Sequence, residues 1–359
     1  MISNNDNIKN IKIIKKNNTI KTKNDLTGKH LPHEKSDDYI YISLSRKSIL
    51  FFLLIPFILL TIVLSFNYLL TPELKQNFLE NSAVWLHEKP LIKKYIPAKW
   101  LPKDYILNQV LPEKGYQTKL SFGNIGLKMV QAGVIDIQKL EEIYKNRGGI
   151  PKEMKKLLTE PSNIPILVTK ENSVWLINIL WPLGLSNRML LNEQSPISGE
   201  NVGNYASTGG WTLGKEQNGG VYFNKLRLIE LSSEQEKRVV AIAESIYRPC
   251  CNNSSFFQDC NHGSAALGLI ELGVAQGLTD EEIYKTVLVF NSYWFPQNYT
   301  EMAFYFQHAK NKVWNEIDPK MILSKEYSSL SGWMTNIHTP AQNIPGLIPP
   351  TESGGGCSV

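Results

Sequence analysis

Beyond its first 47 residues the chain has no surplus of positive charge: ten of its Lys and Arg and five of its Asp and Glu lie in that tail, and the remaining residues carry 28 of each sign. Binding nucleic acid requires a basic face that neutralises phosphates, so the body is not expected to have a nucleic-acid partner. The sequence has no GxGxxG and no complete GxxxxGK[ST], since GGWTLGK at 209–215 is followed by Glu216 in place of Ser or Thr, and so no glycine-rich cradle for a dinucleotide or nucleoside triphosphate is implied. It also lacks HExxH, a nucleophile elbow and a kinase signature. Runs with strand periodicity are scarce, which argues against a sheet protein. Cysteine is rare, with four in 359 residues.

What is present begins with an apolar segment. Residues 48–70, SILFFLLIPFILLTIVLSFNYLL, contain no charge. At ~1.5 Å per residue such a helix crosses a hydrocarbon core of about 30 Å. Pro56 is tolerated in that setting because the freed carbonyl is re-satisfied locally. A cleaved signal peptide is the competing reading, but the run exceeds a typical apolar core and the leader before it is long. Arg46, Lys47 and eight further lysines precede the segment, and a neutral-to-acidic stretch follows. The charge rule therefore predicts a single-pass anchor with residues 1–47 as a basic cytoplasmic tail and the body outside, periplasmic or on the cell surface. The lipid bilayer is thereby an expected partner, and a membrane or extracytoplasmic protein is a further one.

The predicted fold class is mainly α, with little strand. Residues 71–103 read as a juxtamembrane stalk or interface-hugging helix bearing Trp85 and Trp100. Residues 104–195 read as a helical subdomain, with Asp136 as a helix cap, Gly133 and Gly148-Gly149 as stops and NIPILVT as the strand candidate. The helix over ENSVWLINILWPLGL is predicted to run until Pro182. Residues 196–230 form a glycine-rich loop or linker, a connector in which Trp211 plugs the surface or else a ligand loop. A helical bundle is predicted over 231–345. Its first helix opens on a capping box of Ser233 and Glu236, and a later one on Thr279 and Glu282. Pro296 ends the latter, and another helix follows Thr300. Glu271, on the second helix, is expected to be solvated. Residues 346–359 form a flexible tail.

Chemistry concentrates in YRPCCNNSSFFQDCNHG, residues 247–263, which holds Cys250, Cys251, Cys260 and His262. Three sulfurs and an imidazole form a complete set for Zn(II) or a favourable one for Cu(I). Adjacent cysteines point apart in most backbone conformations, so joint chelation needs a tight turn. Three readings follow. In the first, these residues bind Cu or Zn for metal handling. In the second, Cys250 and Cys251 are redox thiols, Cys251 attacking, aided by a helix that begins near His262 and by Arg248. In the third, a disulfide between Cys260 and one of the pair staples a structural or docking protein, as an oxidising compartment permits. Cys357, in the closing TESGGGCSV, follows three glycines and reads as a mobile auxiliary ligand or thiol.

The stretch IAESIYRPCCNNSSFFQDCNHGSAALGLIELGVAQGLTDEEIYKTVLVFNSYWF resembles the CcmH-type thiol oxidoreductases of cytochrome c maturation. The shared features are a helix leading into Arg-Cys, an Asn/Ser-rich loop with an Asp, an Ala-containing second helix and the turn GLTDEEI. The resemblance covers about 55 residues and implies a membrane-anchored three-helix domain with a redox cysteine pair after helix one. That family uses Cys-x-x-Cys, whereas here Arg248 stands three before Cys251, and Cys260 and His262 are additional.

Overall fold

The computed structural model describes residues 70–345, together with residues 61, 65, 66, 68 and 347. The basic tail, most of the expected membrane segment 48–70 and the tail bearing Cys357 lie outside the described residues. Among the described residues no helix is long and apolar enough to cross a membrane.

The fold is mainly helical. Helices α1 (Pro72–His87), α2 (Lys103–Val110), α3 (Ile125–Gln131), α4 (Ile137–Tyr144), α5 (Lys152–Thr159) and α6 (Ser173–Ser186) precede the glycine-rich loop. Helices α7 (Ser233–Ser245), α8 (Asn261–Ala275), α9 (Asp280–Trp294) and α10 (Pro296–Ala309) follow it. Short helical turns from Pro319 onward pack behind them. Two strands, β1 (Tyr116–Gln117) and β2 (Leu167–Val168), pair antiparallel with Tyr116 opposite Val168. The second lies within NIPILVT, where β-branched residues cluster.

Two helices form the centre. Residues 176–186 of α6 are all buried, and so are 262–274 of α8. They approach closely because glycines face backbone: a Cβ at Gly268 would lie 2.6 Å from the carbonyl of Leu180, and one at Gly184 would strike the carbonyl of Ser264. Helix α6 does not stop at Pro182 but continues to Ser186. The proline forfeits one ladder hydrogen bond. Burial on every side holds the helix on course, and Ser186 Oγ donates to the Pro182 carbonyl at 2.6 Å.

The caps follow local chemistry. Asp136 accepts from the backbone N–H groups of Gln138 and Lys139, and Gly133 adopts φ +74° after α3. Thr279 and Glu282 form the expected reciprocal box. At α7 the box is one residue earlier than predicted: Ser232 caps, and Gln235 returns the bond. Serine and glutamine do this as well as serine and glutamate. Pro296 both follows α9 and opens α10, since a proline at the first helical position loses no bond.

Segment 71–103 carries both exposed and buried side chains. Trp85 and Trp100 are exposed, but Ala98 and Leu101 join the core, and Gln307 Nε2 donates to both of their carbonyls at 2.9 Å. The glycine-rich loop is likewise folded in. Trp211 is a core residue rather than a surface plug, with its ring 4.9 Å from that of Trp181.

Candidate functional site: a three-sulfur cluster at a helix N-terminus

Helix α7 ends at Ser245, and Ile246 turns extended. The chain then makes the turn that adjacent cysteines need, closed by the Cys251 N–H donating to the Arg248 carbonyl at 3.4 Å. Further along, Ser255 N–H returns to the Ile246 carbonyl at 2.8 Å, tying the loop shut. Helix α8 then starts, with Cys260 as its cap: the sulfur accepts from the Gly263 N–H at 3.4 Å. The ligand atoms of Cys250, Cys251 and Cys260 all lie within 4.8 Å of one another, and each residue is partly exposed. Cys250 Sγ stands 3.7 Å from Cys260 Sγ, a thiol–thiol contact.

Beneath the sulfurs lies Arg248, fully buried. Its Nε donates to Cys260 Sγ at 3.3 Å and its Nη1 to the Asn253 carbonyl at 2.8 Å. Its Nη2 donates to the Phe257 carbonyl at 3.4 Å and to Asp259 Oδ1 at 2.5 Å. Asn253 Nδ2 holds the other Asp259 oxygen at 2.8 Å. The guanidinium fits because residue 263 is glycine; a Cβ there would collide with it. Burial works against the charge of Arg248, but Cys260, Cys251, Cys250 and Asp259 outweigh it and keep the group protonated.

The three thiols are not equivalent. Hydrogen bonds from Cys250 and then Cys251 draw the Cys260 thiol well below its ordinary value; burial opposes this, while Arg248 and His262 add to it. The positive end of α8 acts in the same direction. For Cys251, the hydrogen bond with Cys250 pulls down, but the bond to Cys260 and burial prevail and push it up to about 11. Burial likewise raises the Asp259 carboxyl, against the pull of Arg248. Of the three thiols, Cys260 is thus the one whose surroundings favour the thiolate, while those of Cys251 disfavour it.

His262 is close but not part of the compact trio. It is buried among aromatics, with its ring 4.6 Å from Phe295 and 5.7 Å from Trp294, and it adds a small pull to the lowering of the Cys260 thiol. Cys357 lies outside the described residues. In sequence Arg248 reads as an auxiliary charge and Gly263 carries no signal; an arginine three residues before a cysteine is a cue, but its burial and its bond to Asp259 are not readable from spacing.

Two other segments brace the loop. Leu330 N–H donates to the Cys251 carbonyl at 2.9 Å, and Ser331 N–H to Asn252 Oδ1 at 2.8 Å. From the glycine-rich loop, Ser207 N–H reaches the Asp259 carbonyl at 3.2 Å, Ser207 Oγ donates to the Gln258 carbonyl, and Tyr205 packs edge-on against Phe257. That loop supports the cysteine loop through Tyr205 and Ser207, while Trp211 points into the core. No family model, curated protein or solved structure matches the chain, so the function rests on this geometry alone.

Proposed function

We propose that Cys250, Cys251 and Cys260 bind a thiophilic metal ion and that Cu(I) is the one they suit. The observation that carries this reading is the convergence of three sulfurs within 4.8 Å of one another. Thiolates select Cu(I) and Zn(II) among biological metals, and closed zinc sites use four protein ligands. The trio offers three, and His262 is engaged with Cys260 and the aromatic rings. A monovalent ion on three thiolates leaves a net negative centre, and the buried Arg248 supplies the compensating charge and a hydrogen bond to one ligand. Partly exposed cysteines suit an ion that is passed on, so metal handling at an extracytoplasmic membrane surface is the role proposed, with a membrane or extracytoplasmic protein as recipient.

The test is metal content of the full chain purified under reducing, chelator-free conditions. About one copper per chain is expected, with thiolate-to-metal charge-transfer absorption, and both should be lost in Cys260→Ser. Zinc in copper-replete medium would overturn the choice of metal, and no metal at all would overturn the reading.

A second reading draws on one specific observation, the 3.7 Å separation of Cys250 and Cys260. In it the Cys260 thiolate attacks a substrate disulfide, one substrate sulfur leaves as thiolate, and Cys250 displaces the second from the mixed disulfide. The substrate is reduced and Cys250 with Cys260 oxidised. This is the activity that the resemblance to CcmH-type oxidoreductases implies, with Cys260 rather than Cys251 as nucleophile. A trapped mixed disulfide in Cys250→Ser would favour it over metal binding.

A further inference from the structure

The large exposed apolar side chains of the body are unevenly distributed. From α5 onward they are aliphatic residues or methionine, such as Ile164, Val174, Leu190 and Met334, separated along the chain. Besides Phe78 earlier in α1, the exposed aromatics of residues 72–345 are Trp85, Tyr95 and Trp100, at 57, 69 and 58% exposure, and Leu91 among them is 87% exposed. They occupy the end of α1 and the two short helical turns after it, Lys93–Tyr95 and Ala98–Trp100.

Lysines interleave with these rings. Lys89 Nζ lies 4.8 Å over the Trp85 ring and Lys94 Nζ 4.8 Å over that of Tyr95. Lys89, Lys94 and Lys99 are exposed and have no carboxylate partner among the described residues, whereas Lys93 is neutralised by Glu316. The backbone beneath is rigid: Ala98 and Leu101 are buried and held by Gln307, and Ala98 N–H donates to Asn311 Oδ1 at 2.7 Å. The aromatics are thus displayed on a fixed base. In sequence, this patch follows the uncharged run that ends at Leu70, with α1 between.

We propose that residues 85–100 form a platform that rests in the headgroup region of an anionic bilayer. Tryptophan and tyrosine are at home at that depth, with an apolar ring in the acyl boundary and a polar edge in water. Lysines near the surface of an anionic leaflet each contribute roughly fivefold in binding. A protein groove would call for a continuous apolar stripe; here charge alternates with rings, which matches a lipid surface. The proposal is independent of what the cysteines bind.

The experiment uses the full chain reconstituted into vesicles whose phospholipids carry brominated acyl chains, which quench tryptophan only at bilayer depth. The run 48–70 contains no tryptophan, so the signal reports on the body. In vesicles of equal parts phosphatidylcholine and phosphatidylglycerol, quenching is expected in the wild type and falls at least about twofold in Trp85→Phe/Trp100→Phe. Lys89→Gln/Lys94→Gln/Lys99→Gln should bring the quenching in anionic vesicles down to that in pure phosphatidylcholine. Circular dichroism confirms that both variants fold, as exposed sites should allow. Absence of quenching in the wild type, or equal quenching with and without the two tryptophans, overturns the platform; a loss that ignores lipid charge overturns the role of the lysines.

Discussion

Two ionisable side chains of the bundle, Arg248 before the cysteine loop and Glu271 within α8, are both fully buried, and they solve that problem in opposite ways. Arg248 spends its donors on a sulfur, a carboxylate and two carbonyls. Neither carboxyl oxygen of Glu271 makes a well-formed hydrogen bond among the described residues, although the Asn187 side chain lies beside it. Burial drives its pKa well above the ordinary value; Asn187 pulls the other way and Glu236 adds to the rise. A charge stays inside a protein when its partners are built around it, and otherwise it is given up. Arg248 keeps its charge and organises a site; Glu271 is pushed toward its neutral form and organises none.

The largest effect that bears on this contrast is expected from Arg248→Met. Removing one side of a buried, hydrogen-bonded charge set costs about 3–5 kcal/mol, read as a lower denaturant midpoint. A loss under about 1 kcal/mol would mean that the cluster stands without its cation. Gly263→Ala sharpens the same point, because the new methyl meets the guanidinium rather than a flexible tail. Overpacking of this kind costs about 1–3 kcal/mol, and the change should weaken metal retention as well.

Glu271→Gln tests the other side, with an effect on the order of 1 kcal/mol and a fixed sign. The folded carboxyl titrates above the unfolded one, so across the interval between the two values the unfolded chain gives up a proton that the native state keeps. Native stability therefore falls as pH rises through that interval. The glutamine variant lacks this loss and should melt above the wild type at neutral pH, the gap closing below about pH 4. A gap that persists in acid would show that the glutamine acts through packing. The smallest effect separates the two serines ahead of α7: Ser232→Ala should cost about 1 kcal/mol, while Ser233→Ala should stay within about 0.5 kcal/mol.

Much of the helical plan was legible because it is local. Asp136, Gly133, Thr279 with Glu282, and Pro296 each act on a neighbouring turn, and each marks a helix end as its chemistry predicts. The misreadings were tertiary. Pro182 was expected to stop α6, but the neighbours that bury 176–186 support the helix past it. Glu271 was expected in water and is sealed between helices; nothing in one helix's periodicity reports the position of Asn187 and Glu236. Trp211 sits among glycines in sequence and among Trp181 and Tyr222 in space.

The cysteine loop divides along the same line. That Cys250, Cys251, Cys260 and His262 fall within one short stretch beside a helix start is a property of sequence, and it limits the chemistry to soft metals, redox thiols or a staple. Which sulfur carries the charge is a property of space. Cys260 is the one favoured, because a helix N-terminus, two thiols and the buried Arg248 converge on that one atom. Likewise, helix ends and apolar faces follow from interactions within a few residues, while the charge states of Arg248, Cys260 and Glu271 depend on what the fold brings within a few ångströms of them, where low polarity makes each partner count.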